Sequence, residues 1–404
     1  MIIDNIWVYY ISMKMNISRK SPELLILFMT VASAVGFAVW MNLLNNFAIE
    51  RVSFTGAEIG ILQSIREIPG FLAFTVVFVL AFIREQKTAY IALLLLGLGT
   101  MFTGLIPTNM AFIITTVIMS IGFHYYETIS ISLSLQWVEK KHTAEFLGKV
   151  IAARSAASIV AFALVWILFE QFHLDYVWVY MAGGGVTVAI VLFCWRYFSV
   201  FPDKVYQTKK IVLRKRYWLY YALQFMSGAR RQIFMVFAGF LMVEKFHFSV
   251  AEISLLFLVN SFINIPLAPR IGRLIARIGE RRALIIEYMG LAAIFVGYAL
   301  TESALFAVFL YILDHLFFSI AIALKTYFQK IADPADIASS AGVSFTINHI
   351  AAVFIPVIFG FVWLYSSAIV FYAGAMMALV SLALALNMPS KPLPGNEVLL
   401  GKFS

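Results

Sequence analysis

The chain has 404 residues, of which 62% are hydrophobic and 13% are charged, and its formal net charge is +9. No water-soluble domain could bury so large an apolar fraction, so the composition excludes that class and indicates an all-α polytopic membrane protein. The one cysteine, Cys194, excludes a disulfide framework and a cysteine-based metal site.

The first long apolar segment begins at about Leu24, and no cleavable signal peptide is evident before it. Residues 1–23 are expected to form an N-terminal cytoplasmic or interfacial segment, with Met1, Met13 or Met15 as the start. From there we predict about twelve transmembrane helices, each near or above the ~20 residues that a crossing requires. They cover residues 24–47, 56–83, 88–106, 109–137, 145–170, 174–199, 217–243, 250–276, 282–300, 303–328, 339–364 and 366–387.

Basic residues concentrate in alternate loops. Arg84 and Lys87, Lys140 and Lys141, and the run from 196 to 216 all fall on one side of the predicted membrane. By the positive-inside rule that side is cytoplasmic, which predicts a multi-pass protein of the cytoplasmic (inner) membrane with both termini inside. This pattern accounts for the net charge, so no nucleic-acid partner is expected.

The two halves of the chain share one pattern. Ala57-Glu58-Ile59 aligns with Ala251-Glu252-Ile253 at an offset of 194, and hydropathy and loop charges stay in phase around this match. The chain is therefore predicted to be two copies of one membrane unit, a layout in which many transporters place a site between the repeats. The expected parts are an N-terminal six-helix half at 24–199, a basic cytoplasmic linker at 200–216, a C-terminal six-helix half at 217–387 and a cytoplasmic tail at 388–404.

Charged side chains lie within the predicted spans of the N-terminal half. Arg66 and Glu67 are adjacent, so their side chains point about 100° apart on a helix and are not expected to pair with each other. Glu127 and Arg154 stand equally far from the turn between the fourth and fifth spans, which predicts an ion pair between them. Each of these charges has two interpretations, a buried salt bridge that joins helices or a gating or coupling group. His124 shares a helical face with Glu127.

An arginine pair marks the seventh predicted span. Arg230 and Arg231 lie about a dozen residues into an apolar stretch, about 18 Å deep at ~1.5 Å per residue. A charge at that depth costs at least ~2.5–3.5 kcal/mol, so the pair must face protein, water or a ligand. The sequence leaves open which of the two faces a cavity.

Other polar groups lie in the later spans. Asp314 and His315 in the tenth span and His349 in the eleventh suggest a proton relay between Asp314 and His349 if their helices meet. The alternative for a histidine in a span is a hydrogen bond to a backbone carbonyl. The run Gly183–Gly185 in the sixth span is interpreted as a site of close helix packing, because no strand or lysine follows it as in a phosphate-binding loop.

The loop after the eighth span carries a basic, glycine-containing motif. It resembles the loop motif Gly-x-x-x-Asp-Arg-x-Gly-Arg-Arg of the major facilitator superfamily, although Ala276 stands where the acid belongs. Gly272, Arg277, Gly279 and Arg281 match the motif, and Arg282 follows them in the same basic loop. Glu287, which follows shortly, is expected to neutralise Arg281 or Arg282.

The resemblance also covers the architecture of the whole chain. It implies the superfamily's fold, two pseudo-symmetric six-helix halves in which the first, fourth, seventh and tenth spans line a central cavity and the second, fifth, eighth and eleventh flank it. By this resemblance the cavity helices carry His124, Glu127, Arg230, Arg231, Asp314 and His315. The flanking helices carry Arg66, Glu67, Arg154, Asn260, Asn264 and His349.

Together these features favour a secondary transporter that moves a small organic anion by alternating access, is coupled to protons, and acts as a monomer without a cofactor or a bound metal. An enzyme is not expected, because no metalloprotease, phosphate-loop or cysteine-cluster motif is present. The expected substrate-binding residues are Arg230, Arg231, His124, Tyr125, Asn42 and Asn264. The expected coupling or gating residues are Glu127, Arg154, Arg66, Glu67, Asp314, His315 and His349. Two alternatives stay open, a divalent metal-ion transporter with histidine and carboxylate ligands and a membrane sensor or assembly protein that transports nothing.

Overall fold

The structure is a computed structural model, and it describes residues 21–80, 82–138, 143–202, 213–333 and 337–402. These residues are almost wholly helical and contain no β-strand. The candidate start residues Met1, Met13 and Met15, and the loop lysines Lys140 and Lys141, lie outside the described residues. The helices are α1 (Pro22–Glu50), α2 (Gly56–Phe71), α3 (Val76–Leu80), α4 (Glu85–Phe102), α5 (Asn109–Trp137), α6 (Thr143–Glu170), α7 (Tyr176–Tyr197), α8 (Trp218–Gln232), α9 (Gly239–Glu244), α10 (Val250–Ile278), α11 (Glu280–Leu300), α12 (Ala304–Phe318), α13 (Ile322–Ile331), α14 (Ile337–Trp363) and α15 (Ser367–Leu386).

Three of the predicted spans are interrupted helices. A 3₁₀ turn, Ala73–Thr75, joins α2 to α3, and another, Ser319–Ala321, joins α12 to α13. A π-helical segment, Ile233–Ala238, joins α8 to α9. With each interrupted helix taken as one segment, the described helices follow the predicted order, which is compatible with twelve spans.

Eight segments of the described chain are long and apolar enough to cross a membrane. A ninth would be α10, which bends by 53° between Val250–Ile265 and Arg270–Ile278. Pro266 and Pro269 fall at this bend in the sequence, and proline, which lacks a backbone N–H, is the usual cause of a sharp kink. The chain is thus an all-α polytopic membrane protein.

Contacts divide the described chain into two compact units. The first unit comprises Met1–Phe47, Leu72–Gln207 and Val250–Phe257. The second unit comprises Ala48–Phe71, Thr208–Ser249 and Leu258–Ser404. The division of the sequence at the linker 200–216 stays a prediction, because these units are defined by packing and not by chain order.

One backbone turn closes three of the described helices, at Ser53, His173 and His247, and the first and third of these positions are related by the predicted repeat. Ser53 and His247, whose numbers differ by the predicted offset of 194, both have positive φ angles, 58° and 56°. In the same turns the N–H of Phe54 donates to the carbonyl of Ala48 at 2.8 Å, and the N–H of Phe248 donates to that of Met242 at 3.0 Å. This six-residue closure at a helix C-terminus satisfies a carbonyl that the helix leaves free. The first and seventh segments therefore end in the same way, as the repeat predicts.

Glycines in the first unit bring helix backbones close together. A Cβ atom at Gly184 of α7 would lie 2.4 Å from the carbonyl oxygen of Gly97 and 2.4 Å from the backbone nitrogen of Met101, both in α4. At Gly183 it would lie 2.7 Å from the side chain of Val39. Gly185 has no such neighbour within 4 Å in the described part of the chain. The predicted packing role is confirmed for Gly183 and Gly184, but for Gly185 it was wrong.

This contrast gives a prediction with a built-in control. Gly184→Ala should lower the melting temperature in detergent, because the new methyl group meets backbone atoms that cannot rotate away; overpacking of this kind costs about 1–3 kcal/mol. Gly185→Ala should leave the melting temperature unchanged or raise it, since alanine is favoured over glycine in a helix by up to about 1 kcal/mol. Equal melting temperatures for the two variants would contradict the packing of α7 on α4.

In the second unit the helix α2 packs against α14 at glycines. A Cβ atom at Gly60 would lie 2.3 Å from the carbonyl oxygen of Pro356 and 2.9 Å from the Cα of Gly360. One turn further along, the N–H of Val357 donates to the hydroxyl of Ser64 at 2.9 Å. The two backbones therefore touch without side chains between them, as at small-residue contacts in membrane proteins generally.

The motif loop after α10 also lies in the second unit. Gly279 has a φ of +83°, a conformation that favours glycine, and it ends α10 so that α11 can begin at Glu280. The Nζ of Lys330 lies 2.7 Å from the Oε1 of Glu280. Arg281 donates to the carbonyl of Leu386 at 2.9 Å. These contacts tie the loop to α13 and to the end of α15, although the acid of the superfamily motif is replaced by Ala276.

Candidate functional site

The two arginines of α8 lie in different surroundings. Consecutive side chains on a helix point about 100° apart. As a result Arg230 is buried, with 3% of its surface exposed, whereas Arg231 is exposed. This difference separates a structural arginine from one that can meet a ligand.

Arg230 is held by groups from three helices. Its Nη1 donates to the hydroxyl of Ser381 in α15, and its Nη2 lies 3.7 Å from the Oε1 of Glu287 in α11. The guanidinium lies over the ring of Tyr288, 4.4 Å from its centroid. Asp314 of α12 is a further electrostatic partner of Arg230. We call these five residues the Arg230 cluster.

The position of Glu287 corrects a sequence-based expectation. Glu287 was expected to neutralise Arg281 or Arg282 of the motif loop, but its side chain is 1% exposed and faces Arg230. In α11 it stands seven positions after Glu280, roughly 10 Å along the helix at ~1.5 Å per residue. That depth was the available signal, because a carboxylate so far inside a span needs a buried partner.

Arg231 has aromatic and electrostatic neighbours. Its guanidinium lies over the ring of Phe318, 5.3 Å from the centroid. Glu67 attracts it, while Arg66 and His315 are nearby groups that can carry like charge. No carboxylate of the described residues forms an ion pair with Arg231 within 4.0 Å. Its charge is therefore only partly compensated.

A small cavity lies between Arg231 and the Arg230 cluster. Its volume is about 10 Å³, which is room for about one water molecule. It is lined by Ser227, Arg230, Arg231, Phe234, Leu291, Phe295, Asp314 and Phe318. The cavity can therefore admit water or a proton, but not an organic solute.

Arg66 and Glu67 contact each other, contrary to the expectation from the sequence. The Nη2 of Arg66 bonds the Oε1 of Glu67, and its Nε donates to Gln63 at 2.6 Å. The expectation was wrong because it considered only the directions of the Cα–Cβ bonds, whereas the long arginine side chain can bend back to its neighbour. The other oxygen of Glu67 lies 3.7 Å from the Nε2 of His349 in α14.

The predicted ion pair between Glu127 and Arg154 is confirmed in the first unit. Both terminal nitrogens of Arg154 donate hydrogen bonds to the carboxylate of Glu127, and the Nη1–Oε2 distance is 3.0 Å. The side chains are 38% and 25% exposed respectively for Arg154 and Glu127. The pair joins α5 to α6, and its role in coupling stays a prediction.

The remaining predicted site residues have individual partners. Asn42 exchanges two hydrogen bonds with Ser254, at 2.9 and 3.1 Å. The hydroxyl of Tyr125 lies 2.7 Å from that of Thr75. His124 is buried, with its ring 5.2 Å from that of Phe123. The side-chain oxygens of Asn260 and Asn264 have no hydrogen-bond partner among the described residues. His315 Nδ1 lies 3.1 Å from the carbonyl oxygen of Tyr311.

The structure thus groups the predicted residues of the second unit into two sets. Around Arg231 lie Arg66, Glu67, His315 and, through Glu67, His349; we call these with Phe318 the Arg231 site. Asp314 belongs instead to the Arg230 cluster. The proposed relay between Asp314 and His349 stays a prediction, since each has a different described neighbour.

Several features of these sets were not predicted from the sequence. Phe318 and Ser381 look like ordinary residues of an apolar span, and only the packing of α8 against α12 and α15 shows that they contact the arginines. The π-helical segment Ile233–Ala238 begins two residues after Arg231. Such segments are frequent at functional sites because they offset the helix by one residue.

Comparison with known proteins bears on the fold and the family. The family model described as Major Facilitator Superfamily matches residues 24–356 and 220–399. A solved structure of the nucleoside transporter NupG, a D323A mutant, is similar with a TM-score of 0.75 and 16% identity, over 91% of this chain and 99% of that chain. A bacterial homolog of the human lysosomal transporter Spinster, in an inward-facing and occupied conformation, is similar with a TM-score of 0.72 and 13% identity, over 90% of this chain and 95% of that chain. No curated protein matches the sequence.

Proposed function

The chain belongs to the major facilitator superfamily, and from this premise we propose that it transports a small organic anion bound at Arg231 and driven by protons. The family and the similar structures are those of transporters, so the chain is a multi-pass membrane transporter and not an enzyme. Its place in the cytoplasmic membrane, with both termini inside and one chain as the working unit, is part of the proposal and rests on the loop charges.

One observation carries the anion hypothesis, and it is the exposure of Arg231 deep in the seventh segment. Arg231 follows the first residue of α8 by 13 positions, about 20 Å along the helix at ~1.5 Å per residue. A charged side chain at this depth does not face lipid tails, so an exposed one faces water or a ligand. A guanidinium that lies over an aromatic ring still presents its N–H groups at the edge, where they can bind two oxygens of a carboxylate or phosphate.

The neighbouring charges favour Arg231 over Arg230 and Arg66, two other arginines of the second unit. Arg230 is bonded inside its cluster, and Arg66 is bonded to Glu67 and Gln63. Both already have an acceptor, whereas Arg231 has none within ion-pair distance among the described residues. An anionic solute would neutralise the positive charge of Arg231.

A metal ion is the second candidate cargo, and the contact between Glu67 and His349 favours it. Their 3.7 Å separation places an imidazole nitrogen beside a carboxylate oxygen, ligands that suit first-row metals. Arg66 and Arg231 lie close to this pair and would repel a divalent cation. The anion is therefore the better supported cargo.

The test is thermal stabilisation of the purified protein by a panel of ligands at two pH values. The panel contains organic acids, phosphate esters, divalent metals and uncharged nucleosides, the last because one similar structure is a nucleoside transporter. A ligand that binds only the folded state at 100 times its Kd adds about 2.7 kcal/mol to the free energy of unfolding. We expect this shift with at least one anion.

The variant Arg231→Gln should abolish the anion shift and leave the melting temperature without ligand nearly unchanged. Arg277→Gln is the matched control, since Arg277 is also exposed but lies in the motif loop region of α10; it should keep the shift. An anion shift that survives in Arg231→Gln would rule out this binding site. A shift caused only by metals would instead favour the cluster of Glu67 and His349.

A further inference from the structure

The Arg230 cluster combines one cation with two carboxylates. We infer that Glu287 and Asp314 hold one proton between them at neutral pH, and that this buried pair is the proton-binding site that drives transport; this inference rests on the proposed function. Arg230 is 3% exposed, and Glu287 and Asp314 are each 1% exposed. A group so deeply buried has no access to bulk water to screen its charge.

The charge balance of the cluster argues for the proton. If both carboxylates were ionised, Arg230 would leave one negative charge uncompensated within the membrane. An unpaired buried charge costs several times more than a buried neutral group, so a titratable site usually neutralises instead. Two carboxylates that interact with each other and share one partner commonly bind a single proton together. Glu287 and Asp314 do interact electrostatically.

Within the part of the chain that the structure describes, the other titratable groups that face the pair supply no second cation. From α11 come the hydroxyls of Tyr288 and Tyr298, and from α12 that of Tyr311. Phenols are neutral near pH 7. From α15 comes the hydroxyl of Ser381, which bonds Arg230. Arg231 borders the same small cavity, but its electrostatic partners are Glu67, Arg66 and His315.

Unsatisfied polar atoms mark where the proton would lie. The Oε2 of Glu287, the Oδ1 of Asp314 and the Nε of Arg230 have no hydrogen-bond partner among the described residues. Buried polar atoms without a partner are rare, and each one calls for an explanation such as a bound proton or water. A protonated carboxyl group gains a donor that an ionised one lacks. Protonation therefore removes the excess charge and supplies a missing donor.

The cavity of about 10 Å³ gives the pair a route to the Arg231 site. It has room for about one water molecule, which can pass a proton between Asp314 and the side of Arg231. The two sites also interact through charge, because an anion bound at Arg231 brings negative charge towards the carboxylates and strengthens their hold on the proton. By linkage the proton strengthens anion binding to the same degree. The arrangement thus favours cotransport of anion and proton in one direction.

The test is the melting temperature of the full-length protein in detergent as a function of pH, without any solute. The folded state holds a proton that the unfolded chain releases, so stability should fall as the pH is raised from about 6 to about 9. Asp314→Asn and Glu287→Gln imitate a protonated carboxyl group, and each should flatten this slope. Glu127→Gln is the control with the same chemical change in the ion pair of the first unit, and it should keep the wild-type slope.

Infrared difference spectra of the wild type between the same two pH values add a readout that needs no variant to fold. We expect the carbonyl band of a protonated carboxyl group to disappear at the higher pH. A wild-type protein with neither a falling melting temperature nor this band, or amide variants that keep both, would overturn the inference. A melting temperature that rises with sodium instead of with protons, and no longer does so in Asp314→Asn, would assign the site to sodium and also overturn it.

The outcome is separable from that of the anion hypothesis. Arg231→Gln should still show a melting temperature that falls with pH, because Glu287 and Asp314 remain in place; the loss of a nearby positive charge should only move this fall to a higher pH. If the melting temperature falls with pH but no anion of the panel raises it, the proposed cargo is rejected and the proton site is kept. If an anion raises the melting temperature but the melting temperature does not change with pH, the proton site is rejected and the proposed cargo is kept.

Discussion

Arg230→Ala is expected to give a protein that unfolds at a much lower temperature than the wild type, whereas Arg231→Ala is expected to keep the wild-type melting temperature. The sequence analysis placed both arginines among the expected substrate-binding residues and did not distinguish them. Arg230, however, is the cation next to Glu287 and Asp314 in the described part of the chain. Its loss leaves these two buried carboxylates without their positively charged partner. Removing one partner of a buried ion pair costs about 3–5 kcal/mol.

A rescue experiment for this prediction replaces both Arg230 and Glu287, and not Arg230 alone. Arg230→Met combined with Glu287→Leu should recover most of the lost stability, because apolar residues of similar volume can replace a buried ion pair at little or no cost. Thermal unfolding in one detergent, followed by tryptophan fluorescence, measures all four proteins. If Arg230→Ala melts within a degree or two of Arg231→Ala, the Arg230 cluster does not support the fold.

Gly60→Val is expected to open the contact between α2 and α14. A valine Cβ would lie 2.3 Å from the Pro356 oxygen, and backbone atoms cannot swing aside as a side chain can. The helices must then separate, which breaks the hydrogen bond from Val357 to Ser64. We expect the variant to lose transport and to expose the buried face of α2, since overpacking by about 1–3 kcal/mol shifts an equilibrium by about fivefold to more than 100-fold.

Cysteine labelling measures this opening directly. Cys194 is the single cysteine of the chain, so Ser64→Cys in a Cys194→Ala background carries one reporter. Ser64 is 6% exposed, and a membrane-impermeant maleimide should react with the reporter slowly. Gly60→Val should raise the rate about fivefold or more. Gly148→Val is the control, because a Cβ there has no neighbour within 4 Å among the described residues. Equal rates in the two variants would refute a closed glycine contact.

The sequence predicted features that depend on composition and on distance along one chain segment. The lengths of the apolar segments and the charges of the loops predicted the order of the spans. A few matching residues between the halves predicted the repeat, and Ser53 and His247, which it relates, both have positive φ angles. The pair of Glu127 and Arg154 followed from their equal distance to one turn, because consecutive antiparallel helices fix relative depth.

Features that depend on how distant helices face each other were not predictable from one sequence. Glu287 and Arg230 are 57 positions apart, and nothing in the hydropathy of α11 shows which way its carboxylate turns. The run Ile233–Ala238 contains no glycine or proline, so no local signal marks it as a π segment. Contacts between non-consecutive helices decide both.

The π segment gives the seventh membrane segment a property that an unbroken α-helix lacks. A π-bulge contains one extra residue. It can shift along the helix one residue at a time, because each shift changes only a few hydrogen bonds and leaves the others intact. If the extra residue moved past Arg231 toward the start of α8, the guanidinium would turn by about 100° relative to the rest of the helix. Beyond it, Phe237 and Phe240 would stay anchored on Trp363, at ring distances of 5.3 and 5.7 Å. The side chain proposed to bind the anion could thus change direction if the extra residue moved along the helix, without rotation of the helix as a rigid rod.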